Sequence, residues 1–281
     1  MSEPRTPLLL RIPESVGASL RGAFETLAAG VTYVGGFFRL IGNVADRSVR
    51  GIVRPGPRVK LEAIASQAFR FGVRSIPIVM LVQLFIGMIL ALNLAPVLDS
   101  YGQIERMADV VGIAVFRELG PLLTAILLSG YAGASIAAEL GTMVEGEELK
   151  ALRAHALDPI RFLVAPRVIA TAIMMILLTV LADLVGVLGG FITSVFVLDV
   201  SPQVYIDLTQ AAVKVSDYWT GLSKAFVFGM IIATLACYEG LSVQGGAEGV
   251  GRATTTTVVK SIVALIAADS VFAIIFYVVG W

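Results

Sequence analysis

The chain has 281 residues, of which 57% are hydrophobic and 15% are charged, with a formal net charge of zero. Its mean hydropathy is +0.87, which lies outside the range of soluble globular domains and indicates a polytopic membrane protein. At roughly 20 residues per span, five or six spans would leave no room for a separate soluble catalytic domain. The balanced charge gives no reason to expect a nucleic-acid partner. One cysteine, Cys237, and one histidine, His155, exclude an intrachain disulfide and an all-histidine metal site, and no metal is expected.

The amino-terminal region is basic. The first 74 residues hold eleven of the 21 Lys and Arg residues, so this end of the chain is predicted to be cytoplasmic. Within residues 1–60, the uncharged run 26–38 is too short to cross a bilayer comfortably. We therefore predict an interfacial or re-entrant helix there, followed by a linker at 51–58.

The remainder, residues 61–281, is predicted to be an all-α domain with five transmembrane helices. The apolar runs are 75–98, 110–138, 168–198, 218–238 and 261–281. An odd number of spans places the carboxyl terminus outside, and the loops assigned to the cytoplasm carry most of the remaining Lys and Arg. Ser201 and Pro202 are typical of a helix start, which predicts a periplasmic helix at about 201–215 lying flat on the outer surface. The glycine-rich stretch 245–251 is interpreted as a flexible connection.

The loop between the second and third spans is unusually charged. Glutamates precede lysine and arginine there, an order that complements a helix dipole, and apolar residues recur at helical spacing. Asp158 before Pro159 ends the pattern, so a short helix is predicted at about 144–157. It either rests on lipid headgroups or docks a soluble partner. No G-x-x-x-x-G-K-[ST] motif occurs; if ATP energises transport, another chain must bind it.

Five ionisable residues interrupt the apolar runs, namely Arg117, Glu118, Asp183, Lys224 and Asp269. Each costs at least about 2.5–3.5 kcal/mol at a bilayer centre, so such residues normally face a bundle interior or a wet cavity. Arg117 and Glu118 lie about 100° apart on a helix; they form either a polar ring at a cavity mouth or a fixed ion pair with a neighbouring helix. Lys224 can reach Asp183 or Asp269, or snorkel outward.

Small residues follow some of these charges. Gly120 and Pro121 free backbone groups and allow the second span to bend. Gly133, Ala137 and Gly141 form a stripe of small residues at four-residue spacing, which is typical of close helix packing.

The motifs extend over most of the chain. RELGPLLTAILLSGYAGASIAAELGTM at 117–143 is followed by EELKAL at 147–152, ALDPIRFLVAPR at 156–167, the pair Gly189–Gly190, CYEGL at 237–241 and GVGRATTTTVVKS at 249–261. Over roughly residues 60–281 this pattern closely resembles the MlaE/YrbE permeases, the membrane subunits of bacterial ABC transporters that work with MCE proteins. Two positions depart from the family pattern: Tyr131 replaces a usual arginine and Glu148 a common glutamine.

The resemblance implies a subunit that moves phospholipid or a related lipid between the bacterial inner membrane and a periplasmic MCE protein, contributing to outer-membrane lipid asymmetry. It implies a homodimer in which each copy docks an ABC ATPase through a cytoplasmic coupling helix, with ATP and Mg²⁺ held by that ATPase and no cofactor by this chain. A small cytoplasmic STAS-type protein is a further expected partner.

The resemblance also assigns residues to roles. It places Arg117, Glu118 and Leu119 at the lipid cavity and Lys224 and Asp269 in a polar network of the later spans, to which burial cost adds Asp183. Lipid tails are expected against apolar first-span residues such as Leu84, Phe85 and Met88. The ATPase-coupling set is Glu145, Glu147, Glu148, Leu149, Leu152, Arg153 and Asp158.

The residues also allow two other functional classes. A proton-coupled secondary carrier would titrate Glu118, Asp183 or Asp269, but five spans do not divide into two equal inverted repeats. An intramembrane hydrolase would need a histidine in a span to activate Ser129 or Ser135, and the sequence has none there. The permease is the favoured prediction, with no enzymatic activity expected of this chain.

Overall fold

The computed structural model describes residues 61–280 together with Gly35, Gly36, Arg39, Leu40 and Gly42. Every element among residues 61–280 is helical, and five of the described segments are long and apolar enough to cross a membrane. The prediction of an all-α, multi-pass membrane protein with five spans is confirmed. Apart from the five isolated positions, the predicted segment 1–60 and its interfacial helix at 26–38 lie outside the described residues.

The spans run Leu61–Ser100, Ile104–Glu145, Ile160–Phe196, Val215–Leu241 and Gly246–Val279, and are called the first to fifth spans. Two short helices join them. The loop helix, Glu148–Ala154, connects the second and third spans. The outer helix, Pro202–Ala212, connects the third and fourth, and the chain is extended at Val213 before the fourth span begins.

The fifth span is longer than hydropathy predicts. It begins at Gly246 rather than near residue 261, so the interpretation of 245–251 as a flexible connection is wrong. Hydropathy marks only the part of a helix that lies in lipid, whereas a helix can continue into water wherever its polar residues are solvated. Gly245, at φ 98°, supplies the left-handed turn before this helix.

The fourth span forms the centre of the bundle, because it packs against the second, third and fifth spans. In its most apolar stretch 67% of residues are buried, compared with 28% in the first span and 6% in the fifth. The first and fifth spans therefore present broad apolar faces outward, as expected for surfaces that meet lipid or another protein chain.

Glycine sets the contact between the first and third spans. A Cβ on Gly87 would overlap the carbonyl oxygen of Gly186, and one on Gly189 would overlap the carbonyl oxygen of Leu84. The two backbones therefore touch directly, as small residues allow in membrane helices. The predicted small-residue stripe lies against the fourth and fifth spans: a Cβ on Gly240 of the fourth would lie 2.9 Å from the Ala137 carbonyl, and one on Gly141 would lie 3.4 Å from Val250 of the fifth.

Four π-helical turns interrupt the described helices, at Ala68–Gly72, Val115–Leu119, Ser129–Gly133 and Ile160–Val164. A π turn widens the helix and displaces its carbonyls from their usual partners. Gln83 of the first span is buried with its Nε2 3.4 Å from the carbonyl oxygens of both Leu119 and Gly120. The second span is thus irregular at its Arg117–Glu118 pair and is supported there from a neighbouring helix.

Large aromatic rings mark the predicted periplasmic end. Tyr101, Phe196, Trp219 and Tyr277 lie near the ends of four different spans and are mostly exposed, as in an aromatic belt at a membrane interface.

Tyr205 attaches the outer helix to this end of the bundle. Burial raises the pKa of Tyr205 to about 12, so its hydroxyl stays protonated and donates to the Val187 carbonyl at 3.3 Å.

Substituting Gly189 with alanine should lower the stability of the bundle, because the added methyl group overlaps backbone that cannot swing aside. We expect a loss of about 1–3 kcal/mol, seen as a lower midpoint of thermal unfolding in detergent. Gly251→Ala is the matched control, since Gly251 is helical with open space around it, and alanine there should be neutral or slightly stabilising. Equal midpoints for the two variants would contradict the backbone contact.

Candidate functional site

A buried lysine joins three spans. Lys224 of the fourth span is 1% exposed, and its Nζ lies 2.5 Å from Oε2 of Glu118 in the second span and 2.9 Å from Oδ1 of Asp269 in the fifth. The lysine therefore does not snorkel outward, and its partner in the later spans is Asp269 rather than Asp183. A charged ammonium group is tolerated inside the bundle because the carboxylates replace its lost hydration.

Arg117 contacts the fourth span at a second point. Its Nη1 lies 3.5 Å from Oδ1 of Asp217, while Oδ2 of Asp217 accepts from the backbone N–H of Lys214 at 2.8 Å. Asp217 and Lys224 are seven residues apart, or about two helical turns. The adjacent residues Arg117 and Glu118 can thus point in different directions and still both pair with the same neighbouring helix.

Three of these charged residues, Arg117, Glu118 and Lys224, line a cavity of about 260 Å³ between the second, fourth and fifth spans. The side chains of Glu118 and Arg117 are 42% and 31% exposed, although each is ion-paired with the fourth span. The two predicted alternatives for this pair, a cavity lining and an ion pair with a neighbouring helix, are therefore compatible. The fifth span supplies the largely apolar wall. The lining residues are Arg117, Glu118, Thr220, Lys224, Ala273, Phe276 and Tyr277.

The cavity extends from the charged cluster toward the predicted periplasmic end, since Phe276 and Tyr277 lie within three residues of the end of the fifth span. The cluster residues Glu118, Lys224 and Asp269 are about nine to fourteen residues from the predicted periplasmic ends of their spans, or roughly 15–20 Å at 1.5 Å per residue. The described side chains that meet there carry two positive charges, on Arg117 and Lys224, against the carboxyls of Glu118, Asp217 and Asp269.

Asp183 of the third span lies apart from this cluster. It is 1% exposed, its Oδ1 has no hydrogen-bond partner among the described residues, and that oxygen abuts Gly120, where any Cβ would overlap it. The carbonyl oxygen of Gly120 also accepts from the side-chain amide of Gln83 in the first span. Asp183 and Gln83 therefore contact the second span just after its π turn, whereas the ion pairs of Arg117 and Glu118 lead to the fourth span.

The predicted lipid-tail residues lie on the first span, outside the lining of this cavity. Phe85 is 50% exposed, whereas Leu84 and Met88 are partly buried and their backbone lies against Gly189. Leu119 places its carbonyl near Gln83 rather than in the cavity. Contact of these four residues with lipid remains a prediction.

The loop helix exposes its charges and packs its apolar residues inward. Leu149 and Leu152 pack against the main hydrophobic core of the bundle. Lys150 donates to Glu147 at 2.6 Å and thereby lowers the pKa of the Glu147 carboxyl. The remaining residues of the predicted coupling set face solvent, namely Glu145, Glu147, Glu148, Arg153 and Asp158.

Several residues of the site were missed from the sequence. Asp217 carried a weak signal as an acid in the first turn of a helix. Thr220, Phe276 and Tyr277 carried none, since they resemble any residues of an apolar span. Among the described residues, no group of three or more His, Cys, Asp or Glu side chains is placed to hold a metal ion.

Replacing Lys224 with methionine should destabilise the bundle by about 3–5 kcal/mol, because it leaves two carboxylates in the membrane without their cation. Adding Asp269→Asn to that variant should recover part of the loss. The readout is the thermal unfolding midpoint, with Lys214→Met as the control because Lys214 is exposed. A double variant no more stable than Lys224→Met alone would contradict the shared ion pair.

Comparison with known proteins gives the family. The family model described as Permease MlaE matches residues 64–275. A probable ABC transporter permease protein of Rickettsia prowazekii is 36% identical over 242 residues, covering 86% of this chain and 92% of that protein. One from Synechocystis sp. is 35% identical, covering 87% and 91%. The intermembrane phospholipid transport system permease protein MlaE of Haemophilus influenzae is 32% identical, covering 87% and 94%. This chain belongs to the MlaE permease family.

Proposed function

We propose that this chain is the membrane subunit of an ATP-driven transporter that moves phospholipid or a related lipid between the bacterial inner membrane and a periplasmic MCE-domain protein. The observation that carries the proposal is the charged cavity between the second, fourth and fifth spans, bounded by Arg117, Glu118 and Lys224. The Haemophilus influenzae relative, named as a phospholipid transport permease, supports the same cargo.

The cavity suits a lipid headgroup rather than a whole lipid. Its volume of about 260 Å³ is below the range of pockets that enclose drug-sized molecules, and a two-tailed lipid is larger than these. Arg117 offers donors to a phosphate and Glu118 accepts from an amine or hydroxyl. The tails extend along the exposed apolar faces of the bundle, where Leu84, Phe85 and Met88 of the first span provide contacts.

The loop helix suits the docking of a soluble protein. Its two leucines already pack on the bundle, so it has little apolar surface left to insert among lipid headgroups, and its charged side chains face solvent. We assign the docked protein as an ABC ATPase that holds ATP and Mg²⁺, since this sequence has no phosphate-binding loop of its own.

The rest of the assembly follows from the exposed faces. Two copies of the chain pair through apolar faces such as that of the fifth span, whose most apolar stretch is 6% buried. The MCE protein binds at the periplasmic end beside the outer helix, and a small STAS-type protein binds in the cytoplasm. The amino terminus is cytoplasmic and the carboxyl terminus periplasmic, in the inner membrane.

The cycle begins at the ATPase. Closure of the two ATPase subunits on ATP pushes the loop helices, and the second and third spans, which flank each loop helix, transmit the displacement. The second span carries Arg117 and Glu118, so the cavity changes shape and the headgroup is released toward the MCE protein. A proton-coupled carrier is less well supported, because Glu118 and Asp269 are both held by Lys224 and Asp183 is buried outside the cavity.

Reversing two charges on the loop helix should abolish ATPase docking. In Glu147→Lys/Arg153→Glu, exposed side chains change sign while the packed leucines remain, so the ATPase should no longer co-purify with the permease. The matched control is Glu248→Lys/Arg252→Glu, an exposed pair at the same end of the bundle, which should leave co-purification intact. Equal ATPase recovery with both variants would contradict docking at the loop helix.

Removing the carboxyl of Glu118 should impair transfer but not assembly. In Glu118→Ala, Lys224 still pairs with Asp269, so the described cluster retains two cations and two carboxylates. Loss of a charged hydrogen bond to the headgroup should lower the rate of phospholipid transfer roughly tenfold. Glu105→Ala, at an exposed site near the periplasmic end, serves as the control. Normal transfer by Glu118→Ala would remove Glu118 from the lipid site.

A further inference from the structure

At the predicted cytoplasmic end, one carboxylate binds two arginines from different spans. Oε2 of Glu139 in the second span accepts from Nη2 of Arg167 in the third span at 3.0 Å. Its Oε1 contacts Nη1 of Arg70 in the first span. Arg167 and Glu139 are 8% and 18% exposed, whereas Arg70 is 54% exposed. We call Glu139, Arg70 and Arg167 the Glu139 clamp.

The clamp closes the base of the loop that carries the loop helix. Glu139 lies six residues before the end of the second span at Glu145, and Arg167 lies near the start of the third. Nη1 of Arg167 also donates to the Leu163 carbonyl at 2.8 Å, within the π turn Ile160–Val164. Arg167 thereby fixes both the irregular start of its own span and the adjacent end of the second span.

This position has a mechanical consequence. A loop tied only by the chain would absorb a push on the loop helix by flexing at its two ends. With the Glu139–Arg167 pair across its base, the ends of the second and third spans are held together, and Arg70 adds the first span. The loop helix also packs on the core through Leu149 and Leu152. A displacement of the loop helix is therefore passed to the spans rather than absorbed by bending of the loop.

We propose that the Glu139 clamp is the positioning element that makes the second and third spans move together when the loop helix is displaced, so that ATP hydrolysis is converted into lipid movement. This inference rests on the proposed function. Glu139, Arg70 and Arg167 lie outside the cavity lining; they act through the second span, which carries Arg117 and Glu118 more than 20 residues nearer its predicted periplasmic end. The clamp is thus a determinant of coupling rather than of binding.

The chain contains a matched ion pair that lacks this placement. Lys260 of the fifth span lies 2.7 Å from Glu239 of the fourth, at the same end of the bundle. Glu239 is 12% exposed, similar to Glu139, yet this pair joins spans that do not flank the loop helix. Loss of either carboxylate costs an interhelical ion pair, but only loss of Glu139 opens the base of the loop.

The test uses the permease reconstituted with its ATPase subunit in phosphatidylethanolamine–phosphatidylglycerol vesicles containing a fluorescent phosphatidylethanolamine. Lipid delivered to the MCE protein and ATP hydrolysed are measured in the same sample. In Glu139→Gln and Arg167→Gln, the lipid delivered per ATP should fall about five- to tenfold, while ATPase recovery and hydrolysis change by less than about twofold. Glu239→Gln should leave the ratio near that of the wild type.

Conservative variants separate coupling from folding. Arg167→Lys keeps a cation beside Glu139 and should recover a ratio well above that of Arg167→Gln, although lysine cannot reproduce the paired contacts of a guanidinium. If Glu139→Gln fails to assemble, Arg70→Gln tests the clamp instead, because it leaves the buried pair in place; a roughly two- to threefold fall in the ratio is expected.

Unchanged lipid per ATP in the assembled clamp variants, or a fall equal to that of Glu239→Gln, overturns the clamp. A wild-type complex in which ATP moves no lipid between the vesicles and the MCE protein, measured in both directions, overturns the proposed function itself.

Discussion

The position of Lys224 constrains the rest of the bundle. A buried ammonium group within a membrane span must be neutralised by nearby carboxylates, since bulk water does not reach it. Glu118 and Asp269 meet that need from the second and fifth spans, which fixes the rotation and depth of three helices relative to one another. Glycine contacts such as that between Gly221 and the Phe116 carbonyl bring the backbones close enough for these side chains to meet.

The second span links the two ends of the molecule. It holds Glu118 in the charged cluster and Glu139 near the predicted cytoplasmic end, 21 residues or about 30 Å apart along the helix. Each carboxylate ties this span to different neighbours: Glu118 to the fourth span and Glu139 to the first and third. The span also contains two π turns between or at these points, so it combines fixed contacts with places where its backbone departs from regular helix.

The sequence predicted the helices better than their contacts. Hydropathy identified all five spans because the bilayer requires long apolar helices, but it placed the start of the fifth near residue 261 instead of Gly246. The ionisable residues within the spans could be identified from the sequence because a charge is costly in lipid. The pairing of Lys224 with Asp269 was among the predicted alternatives, but its pairing with Glu118 was not, because Glu118 and Lys224 are 106 residues apart in sequence and only the packing of three helices brings them together. Glu139 and Arg167 resembled ordinary residues of a helix end.

On the proposed function, this permease moves lipid only when a separate ATPase drives it. The most direct measurement compares delivery of fluorescent phosphatidylethanolamine from vesicles that contain the permease alone with delivery from vesicles that contain the permease and its ATPase, each with ATP and the MCE protein present. Delivery above the protein-free background is expected only when the ATPase is present and hydrolysing ATP. Delivery at the same rate by the permease alone would contradict the proposed function.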